Sequence, residues 1–174
     1  ITIGGSPMFR LMGVGSDKVI IDRLENRFGI PVTTNQTGAV EAFKTLGVKK
    51  IAVAAPYFDY QNEQVKKFLE GSGFEVVHLH GLSQEVEAIH ELPLEASYHH
   101  ARKVFFEAPH AQAVYIPCAH FAVPWLQELE DDLRVPVVSS TAALIWHSFK
   151  ILKIRARIAG HGSLLASLSE ARET

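Results

Sequence analysis

Short apolar runs alternate along this chain with longer segments in which apolar positions recur every three or four residues. The first runs are Ile1-Thr2-Ile3, which meets a glycine turn, and Pro31-Val32-Thr33-Thr34, a short strand end. Ile51-Ala52-Val53-Ala54-Ala55 contains no polar position, the pattern of a strand covered on both faces. Residues 74–79, 113–116 and 135–138 read as further strands. Residues 16–28 place Val19, Ile20, Leu24 and Phe28 on one helical face and Lys18, Asp22, Arg23 and Arg27 on the other. Helices are also predicted over 37–46, 59–70, 121–133 and 141–152, with a helix-rich stretch over 83–107. Strands separated by helix-length segments need crossover connections, so the fold class is α/β with parallel sheets.

The pattern echoes itself. Strand, Gly4-Gly5-Ser6, helix, Pro31-Val32-Thr33-Thr34 and helix parallels strand, Pro117-Cys118-Ala119, helix, Pro136-Val137-Val138-Ser139-Ser140 and helix. Duplication of this kind predicts two pseudo-symmetric halves facing one another across a cleft. We expect residues 1–34 to hold the remainder of a first lobe, 35–135 the second lobe, and 136–174 a return to the first. The opening strand has no neighbour before it, so an N-terminal part of the natural chain is expected to be missing.

Composition narrows the class. The 174 residues are 47% hydrophobic and 21% charged, with net charge −2 and a pI near 6.5. No dense basic run with interleaved aromatics marks a nucleic-acid surface. No apolar stretch approaches the roughly 20 residues that span a bilayer. One cysteine excludes an intrachain disulfide, and a cytoplasmic enzyme is the simplest reading.

That cysteine, Cys118, follows an apolar strand, where an α/β sheet delivers side chains to a ligand. It is either a small buried hydrophobe or the reactive group. Ser6, Thr33, Thr34, Tyr57, Ser139 and Ser140 also stand at strand ends. Together with helix N-termini they make a carboxylate cradle; the Thr and Ser pairs serve equally as helix caps. His78 and His80 alternate, and His99 and His100 adjoin, but no carboxylates stand at metal-site spacing around them. No metal is expected, and no phosphate loop for a nucleotide is present; Gly160-His161-Gly162 is too short for one. Glu128, Glu130, Asp131 and Asp132 read as a solvated helix face, and His120 as a neighbour that tunes the thiol.

In this order, Gly4-Gly5-Ser6, Pro31-Val32-Thr33-Thr34, Leu46 to Val53, Pro56-Tyr57, Ile116-Pro117-Cys118, Pro136 to Ser140 with Trp146, and Gly160 to Leu165 resemble the aspartate/glutamate racemase superfamily. The nearer branch holds maleate cis–trans isomerases and arylmalonate decarboxylases. The resemblance implies two Rossmann-like lobes with parallel sheets, an active site between them, no cofactor and a tendency to homo-oligomers. It places one or two further βα segments before Ile1. Racemases of the superfamily use one cysteine per lobe. The second matches Cys118, whereas the first falls at Gly4, which carries no thiol. Arylmalonate decarboxylases share that pattern, so the resemblance implies that Cys118 donates a proton to one face of an enediolate after CO2 leaves. Gly4, Gly5, Ser6, Thr34, Tyr57, Ala119 and His120 would then contact a small carboxylate substrate. Two departures stand out: the family's threonine before the serine is Gly5 here, and the decarboxylase glycine is His120. The alternatives are a maleate isomerase, an amino-acid or hydantoin-type racemase, and a family member that only binds a carboxylate.

Overall fold

The computed structural model describes residues 1–169, and of Ser6, Pro7 and Arg10 the backbone alone. Strand β1 (Thr2–Ile3) pairs in parallel with β2 (Thr33–Thr34), Ile3 opposite Thr34. Strands β3 (Lys50–Ala55), β4 (Glu75–Gly81), β5 (Ala113–Ile116) and β6 (Val137–Ser139) form a four-stranded parallel sheet in the order β4-β3-β5-β6. Every residue of β3 after Lys50 is buried, as its continuous apolar run requires. The expected break at 136 therefore falls just before a strand of the larger sheet. The end of the expected third segment, 170–174, lies outside the described residues.

Helices connect the strands: α1 (Ser6–Met12), α2 (Ser16–Phe28), α3 (Asn35–Thr45), α4 (Asp59–Gly71), α5 (Val86–Ile89), α6 (Ala96–Glu107), α7 (Leu126–Leu133), α8 (Ser140–Ile151) and α9 (Ser163–Ala166). Phe43 of α3 meets Phe74 and Tyr115 edge-on, both at 5.5 Å, and seals one face of the larger sheet. The helix expected from 121 begins only at Leu126, because Pro124 disfavours helical backbone at Val123. The stretch over 83–107 splits around Pro93 into α5 and α6. Helix α1 was not anticipated: Phe9 is its buried anchor, while Met8, Leu11 and Met12 are exposed, so no inward stripe marks it. Helix α2 has the predicted bounds, but Val19 and Phe28 are exposed. Its buried residue is Asp17, which accepts from Thr37 Oγ1 at 2.7 Å and so ties α2 to α3.

The internal echo is deeper in three dimensions than in the sequence. Glu25 Oε1 accepts from Val32 N at 2.8 Å, and Glu130 Oε1 accepts from Val137 N at 2.8 Å, each across seven residues. Each glutamate's carbonyl also takes the N–H of a left-handed helix cap, Gly29 (φ 65) and Arg134 (φ 58) respectively. Thr34 then caps α3 by accepting from Thr37 N at 3.0 Å, and Ser139 caps α8 by accepting from Ala142 N at 3.1 Å. The two repeats touch at equivalent places. A Cβ on Gly38 would lie 2.8 Å from Ala143 O, so only glycine permits this helix contact. Both strand ends stand one helical turn, about 5.4 Å, from it. The carboxyl ends of β2 and β6 are thereby drawn together.

Candidate active site

Cys118 is buried, with 7% of its surface exposed, just beyond β5. Its N–H donates to Ile116 O at 3.1 Å, closing a tight turn around Pro117. The Tyr57 hydroxyl donates to Pro117 O in a very close contact. Tyr57 follows β3, the neighbour of β5, so adjacent strand ends are buckled together at the thiol. Tyr57 is itself fixed: its carbonyl accepts from Asn62 Nδ2 at 3.1 Å and from Ser83 N at 3.2 Å. Gly81 is needed here, since a Cβ would sit 2.2 Å from both Asn62 Nδ2 and Tyr57 O.

Beneath this edge lies His100, also buried. Its Nε2 faces two carbonyls, Ala55 O at 3.2 Å and His80 O at 3.1 Å, so Nε2 carries the proton. Burial pushes its pKa below the ordinary imidazole value, against the raising effect of those carbonyl bonds. His100 is thus a neutral clasp between β3, β4 and α6. Among the described residues no three His, Cys, Asp or Glu side chains gather as a metal site.

The other expected residues divide by role. Ala119 and His120 are exposed beside the thiol. Gly4 and Gly5 are exposed beyond β1; Gly5 has φ 88, and a Cβ on Gly4 would meet nothing within 4 Å. Ser6 opens α1, and its side chain lies outside what is described. Thr34 is fully buried, and its hydroxyl is committed to the α3 cap, with Thr37 Oγ1 at 3.1 Å as a second partner. Thr33 Oγ1 bonds His147 Nδ1 at 2.6 Å, joining β2 to α8. Burial lowers the pKa of His147, partly countered by Glu41. Ser139 caps α8, while Ser140 Oγ is buried with no partner among the described residues.

Beside Ala119 opens a cavity of about 430 Å³. Phe121, Leu126, Ile145 and Leu165 wall it, and Thr141 and His161 are polar groups on its lining. Glu130 is not on a solvated face as expected. It is 8% exposed and accepts from Ser163 N at 2.6 Å and Ser163 Oγ at 3.1 Å, holding the loop before α9. The repeated Leu-Glu ahead of each Pro-Val (Leu24-Glu25 and Leu129-Glu130) was the sequence signal for this role.

Residues 3–165 match the family model described as arylmalonate decarboxylase. The chain belongs to the arylmalonate decarboxylase family. Among curated relatives, a maleate isomerase from Geobacillus stearothermophilus is 28% identical over 145 residues, 82% of this chain and 57% of that protein. An arylmalonate decarboxylase from Bordetella bronchiseptica is 25% identical over 153 residues, 87% of this chain and 64% of that protein. The chain thus spans under two thirds of these relatives. The fold matches a solved maleate cis–trans isomerase from Nocardia farcinica with TM-score 0.90 at 20% identity, over 98% of this chain and 72% of that one. The family membership agrees with the resemblance read from the ordered motifs.

Proposed function

We propose that this chain belongs to a cofactor-independent enzyme acting on a small carboxylate, and that its chemistry is decarboxylation followed by protonation on one face. The observation that carries this reading is a single thiol, Cys118, buckled at a strand end while Gly4 stands open. Crowding at the backbone does not impose the glycine, because a Cβ there would meet nothing within 4 Å. One acid on one face suits a reaction that delivers a single proton. A malonate loses CO2, and the electron pair of the broken C–C bond becomes an enediolate. Cys118 Sγ gives its proton to the α-carbon, and water reprotonates the thiolate. Backbone N–H groups around Gly5 and Ala119 stabilise the developing charge.

Cis–trans isomerisation of maleate is the second reading, favoured by the relatives named maleate isomerase. It uses Cys118 differently, through addition to or proton exchange at an alkene. Both activities are assayed side by side on the chain and on Cys118→Ala: CO2 from methyl(phenyl)malonate, and fumarate from maleate. Cys118-dependent CO2 release supports the first reading, and Cys118-dependent fumarate formation without CO2 replaces it with the second.

A further inference from the structure

The loop before α9 is held with more care than a connection needs. On one side of His161, Gly162 N donates to Gln127 Oε1 at 3.3 Å; beyond it, Ser163 gives its N–H and hydroxyl to the buried carboxylate of Glu130. Gly162 has φ 89, and a Cβ there would lie 2.0 Å from Leu126 Cδ2, so the loop is pressed onto α7. What this clamp presents is His161, exposed and lining the cavity beside Ala119. Among the described residues its imidazole has no hydrogen-bond or ion-pair partner, and among the described lining residues it is the only ionisable group. The wall between Ala119 and His161 is mostly apolar, including Phe121, Leu126 and Leu165. A cavity with an apolar body, one imidazole carried on a clamped loop and no acid among its described lining residues fits a ligand with an apolar middle and an anionic far end.

We propose that His161 is a specificity-determining residue that binds an anionic group at the far end of the substrate's α-substituent, with Glu130 as its positioning residue. The favoured substrate class is a malonate whose substituent is apolar and ends in a carboxylate. This rests on the reading of Cys118 as the acid of a decarboxylase, and the test separates the two.

The test uses the chain itself, its His161→Gln and Cys118→Ala variants, and two probes, phenylmalonate and 4-carboxyphenylmalonate. The chain should favour the carboxylated probe by about tenfold in kcat/KM, the worth of a hydrogen bond to a charged group. His161→Gln should bring that ratio near one, chiefly through KM, and Glu130→Gln should lower it part of the way. An absent preference, or one that survives His161→Gln, overturns the role of His161 while Cys118-dependent turnover leaves the decarboxylase reading standing. If neither probe is turned over, the decarboxylase reading fails and binding decides His161. A saturable shift of the His161 imidazole NMR signal with 4-carboxyphenylmalonate, absent with phenylmalonate, supports the proposal; equal shifts or none overturn it.

Discussion

Replacing Glu130 by alanine should cost far more stability than replacing its repeat partner Glu25, although both accept from a Pro-Val backbone N–H at the same distance. Glu25 is half-buried and has one such partner, so water replaces much of what is lost, and we expect about 1 kcal/mol. Glu130 is buried and receives two backbone N–H groups and one hydroxyl, joining α7, β6 and the loop before α9. Its removal strands donors at roughly 1–3 kcal/mol each, with partial relief where Ser163 reaches solvent, for a total of about 3–4 kcal/mol. Glu130→Gln keeps one acceptor oxygen but sets an amide NH2 against Ser163 N–H, and should fall between, near roughly 2 kcal/mol. Urea unfolding measures all three, with an unchanged slope confirming that the unfolded state is the same. In chains of this size the differences correspond to melting shifts of roughly 2–4 °C per kcal/mol. A Glu25→Ala cost equal to or above that of Glu130→Ala would refute the assignment of Glu130 as a loop anchor.

Tyr57→Phe removes the donor to Pro117 O, so stability should drop by about 1–2 kcal/mol and kcat on a malonate should fall; an unchanged kcat contradicts the view that this bond places Cys118. Gly38→Ala should destabilise by roughly 1 kcal/mol, because crowding against Ala143 O exceeds the helix-propensity gain of about 1 kcal/mol; a higher melting temperature counts against it. His100 is neutral when folded and has a lowered pKa, so the unfolded chain binds more protons below about pH 6.5. Stability should be full above that value and decline as pH falls from it towards the lowered folded-state value. His100→Asn should lose less between pH 7.5 and 5.5 than the parent, with His147 supplying the remaining slope; equal losses would show that His100 is not the source.

The parallel α/β pattern was legible because its strands and most helices carry strong apolar periodicity. Helix α1 was hidden because its apolar residues Met8, Leu11 and Met12 face outward. The positions of Tyr57 just after β3 and Cys118 just after β5 were legible from where the two apolar runs end. The bond from the Tyr57 hydroxyl to Pro117 O depends on register between strands and was not. The hydroxyl pairs carried two meanings, cap and ligand, and the structure places Thr34 and Ser139 as caps. Glu130 was misread because three acids near it do face solvent, and burial on the fourth side of a helix leaves little mark in a short acidic run.

The central claim is that Cys118 delivers one proton to one face of a decarboxylated intermediate. Turnover of methyl(phenyl)malonate in D2O tests it directly, with the α-carbon of the 2-phenylpropionate product analysed for deuterium and handedness. The account predicts one deuteron per product, a single enantiomer, and loss of turnover in Cys118→Ala. A racemic product, or turnover that persists without the thiol, would contradict it.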